Sequence, residues 1–259
     1  MKIYVFLLLG VSLMISCTNE QKKEQQQNEE QLIENPAAIG FNENDSDEKA
    51  IRIADEVMVA MGGRKNWDRE RYFKWNFFGA RTLWWDKWEG DVRIQMHNED
   101  SAVFLVNIFD DTGKVFTQGK EETQADSVAK YVNQAKGIWI NDAYWLFMPF
   151  KLKDSGVTLK YVGVDTTQSG LPSDVLQLSF KDVGNTPQNK YHVWVDQSDK
   201  LVKQWAFYRE NDLVEPNFIT PWIGYKKHNT LLLAGDRGRN KITDIEIADH
   251  MDQSIFSEF

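Results

Sequence analysis

A change of period along the chain does most to limit what it can fold into. Phe73, Trp75 and Phe77 alternate with Lys74 and Asn76, the period of two that a strand with one buried face requires. Strand-like runs continue at Arg81–Trp88, Asp91–His97, Ala102–Phe109 and Lys114–Gly119. The separators Glu89-Gly90, Asn98-Glu99-Asp100 and Asp110-Asp111-Thr112-Gly113 supply the Gly, Asn and Asp of hairpin turns, so the first half reads as an antiparallel meander. From Ser127 to Asn141 the period becomes helical, with Val128, Tyr131, Val132, Ala135, Ile138 and Trp139 on one stripe. The apolar run Ala143–Phe150, broken at Pro149, lacks strand alternation and reads as part of a helical cover. Strands resume at Val157–Val164, Asp174–Lys181, Lys190–Val195 and Leu201–Tyr208, with further ones near Trp222–Lys226, Thr230–Leu233 and Lys241–Ala248; Asp196-Gln197-Ser198-Asp199 is a hairpin turn. Ahead of all this lies another helix. Asp45 or Ser46 caps it, Ala50, Ile51, Ile53, Ala54, Val57, Met58 and Met61 form its stripe, and Gly62-Gly63 ends it.

The order helix, strands, helices, strands defines an α+β fold. So many antiparallel strands do not stay flat, which predicts one strongly curled sheet, a half-open β-barrel, with helices covering its concave face. In element order the region 47–259 resembles the outer-membrane lipoprotein carrier superfamily of LolA and LolB type. The local motif Trp194-Val195-Asp196-Gln197-Ser198-Asp199-Lys200-Leu201-Val202-Lys203 is similar to a strand, Asp-containing turn and strand that recur there. The resemblance implies an unclosed sheet with an apolar concave face under a helical lid, and a carrier of lipid-bearing cargo.

At the N-terminus, Met1-Lys2 precedes an apolar run from Ile3 to Ile15, shorter than the roughly 20 residues a spanning helix needs, so it reads as an export signal. Met14-Ile15-Ser16-Cys17 resembles a bacterial lipobox, with Met14 in place of the usual Leu. The resemblance implies cleavage between Ser16 and Cys17 and acylation of Cys17 by diacylglycerol and palmitate-type chains. Cys17 is the chain's only cysteine, so no disulfide forms within one molecule. Two or three acyl chains hold a protein stably where one holds it marginally. Thr18, not Asp, follows the cysteine, which by the same resemblance favours the outer membrane; whether the domain faces periplasm or cell surface stays open. Residues 17–46 carry a Gln, Glu, Asn and Lys run with little to bury and read as the lipidated end and a disordered tether, followed by a single domain over 47–259. Removing the signal removes Lys2 and takes the net charge from −9 to −10, which argues against nucleic acid and against peripheral binding to anionic lipid heads. The chain reads as a monomer whose partners are the membrane, through Cys17, and a lipid or lipoprotein ligand.

No catalytic signature emerges. The mature chain has no Gly-x-Ser-x-Gly, no phosphate-binding glycine loop and no His-Glu-x-x-His. His97, His192, His228 and His250 are scattered, and Asp249-His250-Met251-Asp252 places carboxylates beside a histidine only in sequence. Asp110-Asp111-Thr112-Gly113 lacks the ligand spacing of a calcium loop. The reading is a non-enzymatic protein without metal or cofactor. What stands out is the supply of aromatic rings, ten of them tryptophan. Trp75, Phe77, Trp88, Trp145, Phe147, Trp194, Trp205 and Phe207 are the candidate walls of a pocket for a hydrophobic or amphipathic ligand between sheet and helices. Trp84 and Trp85, adjacent on one strand, must take opposite faces. The competing reading is an envelope interaction module with a filled core that binds a protein or glycan at its surface. Replacing Cys17 with Ala is expected to abolish incorporation of labelled palmitate and to leave soluble protein or an unprocessed precursor; a variant that still takes up the label and fractionates with membranes contradicts the lipobox reading.

Overall fold

The computed structural model describes residues 34–259 apart from 182, 183 and 185. The signal, Ser16, Cys17 and residues 18–33 of the expected tether lie outside the described residues. The chain forms helix α1 (Glu48–Ala60) and a short α2 (Arg64–Arg69), then strands β1 (Tyr72–Phe77), β2 (Arg81–Asp86), β3 (Asp91–Met96), β4 (Val103–Asn107), β5 (Thr112–Thr117) and β6 (Lys120–Glu121). Helix α3 (Ala125–Phe147) runs into a 3-10 turn at Met148–Lys151. Strands β7 (Val157–Thr166), β8 (Pro172–Phe180), β9 (Lys190–Asp196), β10 (Val202–Tyr208), β11 (Phe218–Pro221), β12 (Ile223–His228), β13 (Leu231–Arg237) and β14 (Asn240–Ala248) follow, then α4 (Ser254–Ser257). Among the described residues no helix is both long and apolar enough to cross a membrane.

The fold is α+β, as the periods predict, but the single strongly curled sheet is not formed. The strands divide into a nine-stranded antiparallel sheet, ordered β12-β13-β14-β1-β2-β3-β4-β5-β6, and a five-stranded one, ordered β11-β10-β9-β8-β7, neither closed nor strongly curled. The division falls at Trp222, the one residue between β11 and β12. Its side chain is fully buried, and its backbone N–H donates to the Lys203 carbonyl of β10 at 2.8 Å. The chain thus changes sheets around a buried indole, and a corner of this kind accommodates the twist that one large sheet would otherwise accumulate.

Inner-face residues of both sheets, among them Phe73, Trp75, Leu83, Leu159, Leu178, Val193 and Trp205, share one core with α1 and α3. Helix α1 packs on β7, and α3 crosses β3, β4, β5 and β13. Period-two pairing explains Trp84 and Trp85. Trp85 faces the core, whereas Trp84 stands on the opposite face between Lys74 and Arg93, whose cationic groups lie 6.0 and 5.7 Å from its ring. A second, smaller cluster of Val175, Trp194, Ala206 and Tyr208 covers the other face of the five-stranded sheet.

The segment after residue 33 departs from the tether expectation. Asn35 is buried and its amide donates to Asp55 at 2.6 Å, while the Lys153 ammonium donates to the Asn35 carbonyl at 2.5 Å. Asp47, in place of the expected Asp45 or Ser46, is the N-cap residue of α1, and its side chain and that of Ser46 serve the edge of β7: the Ser46 hydroxyl accepts the Leu159 N–H at 3.0 Å and the Asp47 carboxylate accepts the Tyr161 N–H at 2.8 Å. Polar composition argues against burial of apolar surface, but it does not prevent a segment from satisfying a sheet edge hydrogen bond by hydrogen bond. Gly62 turns the chain sharply after α1: its φ is +117°, and a Cβ there would stand 2.5 Å from the Thr230 carbonyl oxygen.

Two cations fasten α3. Arg81 of β2 donates through Nε and Nη2 to the two carboxylate oxygens of Asp142, each at 2.6 Å, and the Asp142 side chain is completely buried. Near the helix end the buried Arg237 lies with its guanidinium 3.4 Å from the centre of the Trp222 ring and donates to the carbonyls of Trp145 and Ala234 at 2.7 and 3.0 Å. Burial pulls the Arg237 guanidinium down to about 9. Removing one partner of a buried ion pair leaves an uncompensated charge. Asp142→Ala is therefore expected to cost about 3–5 kcal/mol in chemical unfolding, and the double replacement Arg81→Met with Asp142→Leu less than the single change. A single variant as stable as the parent would show that the pair does not hold the helix.

Candidate ligand cavity

The face of α3 opposite its fastenings is presented by Trp139, Ile140, Ala143, Tyr144 and Phe147, positions spaced so that one helical stripe carries them all. Together with Trp67 of α2, Trp85 of β2, Val157 of β7 and Phe180 of β8, this stripe lines a cavity of about 330 Å³. Lys151, Asp154 and Ser155 also line it, and the Lys151 ammonium is paired with the Asp154 carboxylate. Tyr144, Ile140 and Phe180 also line a second space of about 280 Å³, bounded further by Asn141, Thr186 and Tyr191. Tyr144 and Phe180 thus stand between two lobes, each close to the lower end of the range of about 300–1,000 Å³ usual for small-molecule sites.

The walls are rings held by other rings. Trp67 stacks on Phe150 at 4.5 Å and lies 5.4 Å from Phe147; Trp85 meets Trp139 edge-on at 5.3 Å; Tyr144 lies 6.2 Å from Phe180 and 5.5 Å from Tyr191. Lys87 fixes the Trp67 segment, its ammonium 4.7 Å over the indole and donating to the Trp67 carbonyl at 2.5 Å. These rings have few rotamers, so the cavity's shape is set by packing and not by mobile chains. Burial raises the Tyr144 phenol well above its ordinary value, with smaller contributions from Tyr191 and the Asp154 carboxylate, so it stays a hydrogen-bond donor.

Of the residues expected to form a pocket, Phe147 lines this cavity. Trp75 and Trp205 are fully buried core, and Phe77 is buried beside Phe78. Trp145 turns from the cavity to pack on Trp205 at 4.7 Å and Phe218 at 6.1 Å, and Phe207 stacks on Phe218 at 5.1 Å. Trp194 lies on the far face of the five-stranded sheet, where its indole N–H donates to Asp165 at 3.2 Å. Trp88 sits in the β2–β3 turn, 53% exposed. The sequence reading passed over Trp67, Trp85, Trp139, Tyr144 and Phe180 as site residues. The usable signal was the helical phase of α3, which puts Trp139 and Tyr144 on the stripe of Phe147 and Trp145 off it.

Two of the histidines, His97 and His192, are held in side-chain hydrogen bonds. His97 bonds Thr82 and the Gly79 carbonyl, each at 3.1 Å, and His192 bonds Gln177 at 3.2 Å and Tyr208 at 3.1 Å. Burial beside Lys190 pulls His192 down to about 4, so it is neutral near neutral pH. No group of three or more metal-ligating side chains gathers among the described residues.

No protein-family model and no curated protein matches this chain. Similar solved structures include a DUF1329 family protein from Desulfovibrio piger, 11% identical over 81% of this chain and 97% of that one, with a TM-score of 0.45. A domain described as an outer membrane lipoprotein-sorting protein from Vibrio parahaemolyticus is 11% identical over 82% and 97%, with a TM-score of 0.42. A LolA superfamily protein from Nitrosomonas europaea is 10% identical over 78% and 96%, with a TM-score of 0.36. At TM-scores below 0.5 these likenesses assign neither family nor activity to the chain.

Truncating the wall separates shape from stability. Phe147→Ala is expected to cost about 3–5 kcal/mol, as for a fully packed ring, because Phe147 is 1% exposed. Trp139→Ala, at a partly exposed wall position, is expected to lose less stability and more ligand, whereas Trp145→Ala is expected to lower the melting temperature and leave hydrophobic-probe binding intact. Loss of probe binding in Trp145→Ala with no loss in Trp139→Ala would place the site elsewhere.

Proposed function

We propose that this protein is a non-enzymatic, lipid-anchored envelope lipoprotein that holds a hydrophobic or amphipathic ligand, such as an acyl chain, in the cavity between α3 and the two sheets. The observation that carries the proposal is the cavity of about 330 Å³ with an aromatic wall fixed from behind by packing and by the two strand cations that fasten α3. Anchoring at Cys17 and residence at the outer membrane rest on the Met14-Ile15-Ser16-Cys17 pattern and on Thr18. The resemblance in element order to the outer-membrane lipoprotein carriers agrees with a ligand of this kind, although fold alone does not fix function. A tight aromatic stripe flanked by a single ion pair suits an apolar body with little charge.

A fluorescent hydrophobic probe is expected to bind saturably in the micromolar range, and a long-chain acyl compound to displace it. A ligand that binds the native state alone at a hundredfold excess over its Kd stabilises it by about 2.7 kcal/mol, so the melting temperature should rise. Folded protein that shows no probe binding, no displacement and no thermal shift would instead have a filled core, and the interaction-module reading would replace this one.

A further inference from the structure

The inner face of the five-stranded sheet ends in a row of aromatic rings. Phe180 of β8, Tyr191 of β9, Phe207 of β10 and Phe218 of β11 follow one another from strand to strand, with ring centres 5.5, 5.5 and 5.1 Å apart. Strand pairing sets the row: Phe207 lies opposite Tyr191 on one side and Phe218 on the other, so the three rings share a face. From β8 to β11 the row crosses three inter-strand spacings, about 14 Å. Phe180 lines both lobes of the cavity and Tyr191 the second, so the row begins inside the candidate site and runs out of it. Its surface is open to solvent: Phe180, Tyr191 and Phe207 are half-buried and Phe218 is 40% exposed.

Two residues at the outer end of the row break local preferences. Phe218 is a large apolar side chain left exposed on an edge strand, a position that chains ordinarily cover or charge. Phe78 and Gly79 occupy the β1–β2 turn at φ of +54° and +72°, a left-handed pair in which the first place favours Asn, Asp or Gly over a bulky ring. The half-buried Phe78 ring meets Trp145 edge-on at 5.4 Å, and Trp145 lies nearly parallel to Phe218 at 6.1 Å, so the strained turn delivers its ring to the same end. Backbone strain kept at an apolar surface points to a use for that surface, and its continuity with the cavity names the occupant: the part of the ligand that the cavity does not hold. We infer that the ligand is a long-chain amphiphile whose chain leaves the cavity along Tyr191 and Phe207 and reaches the rings of Phe218 and Phe78, so that the site selects for chain length. Each further methylene laid on the row leaves water for an apolar surface, so affinity keeps rising with chain length after the cavity is full. This rests on the cavity being a ligand site, and it adds where the chain runs.

The test measures displacement of a bound fluorescent hydrophobic probe from the purified protein by lauroyl and by palmitoyl lysophosphatidylcholine, each below its micellar concentration, in the parent, in Phe78→Asn and in Phe218→Thr. The two compounds share a head group and differ only in chain length. Phe78→Asn removes a ring and is expected to keep the melting temperature or raise it, because Asn suits the left-handed turn; Phe218→Thr keeps a strand-forming residue at an exposed position. The parent is expected to bind the palmitoyl compound at least about tenfold more tightly than the lauroyl one. Each variant is expected to weaken the palmitoyl compound several-fold and to leave the lauroyl compound unchanged. Equal affinity of the parent for the two, or the same ratio between them in the parent and in both variants, overturns the aromatic row as part of the site while leaving the cavity standing. Failure of both compounds to displace a bound probe, or of the probe to bind, overturns the cavity reading and the row with it.

Discussion

The placement of α3 depends on one buried pair, Arg81 with Asp142. A carboxylate with no exposed surface on a helix, met by both nitrogens of a strand guanidinium, admits one rotation of that helix. With Asp142 turned to the nine-stranded sheet, the phase of an α-helix puts Trp139, Ile140, Ala143, Tyr144 and Phe147 together on the cavity side. Arg237 repeats the device at the helix end by holding the Trp145 carbonyl and stacking on Trp222, the residue at which the chain passes between sheets. The same side chains therefore settle the helix, the corner and the cavity wall. Such interactions add little net stability against an apolar replacement, but they oppose alternative placements, since any other rotation strands a buried charge.

This arrangement explains how a core so rich in rings retains open space. Phe147 fills the middle of the aromatic layer, in contact with Phe73, Trp75, Trp85 and Trp67. Beyond it Trp139 meets Trp85 of the nine-stranded sheet and Tyr144 lies against Phe180 and Tyr191 of the five-stranded one, and rigid rings there cannot collapse inward as flexible aliphatic chains would. The opposite face of the five-stranded sheet has its own small core around Trp194, so the rings divide among the main core, the cavity wall and the outer surfaces.

Much of this was legible in the order of residues. Alternation at Phe73, Trp75 and Phe77 and the Gly, Asn and Asp of the separators set the strands and hairpins, and the α+β class follows from where the period changes. The division into two sheets was not legible, because the choice of partner beyond Pro221 is a matter of hydrogen bonding across space and not of local pattern. The run Ala143–Phe147 continues α3, as its lack of strand alternation predicts, although its apolar residues are split between the core and the cavity. Trp67 escaped notice because it lies on a six-residue helix after Gly62 and Gly63, too short to show a period. Residues 34–46 were misjudged because composition weighs burial of apolar groups and is blind to side chains that complete a strand edge. Among the candidate wall residues, alternation alone could not tell Trp145 from Phe147, although they differ by half a turn of the helix.

The central claim is that the cavity is a ligand site and not a packing defect. Native mass spectrometry of the folded protein, purified without detergent from cells that lipidate and export it and compared with Trp139→Ala, tests this most directly. The account predicts a noncovalent adduct of acyl-lipid mass in the parent, released on mild collisional activation and reduced in the variant. Adduct-free protein in both, or the same adduct at the same occupancy in both, would contradict it.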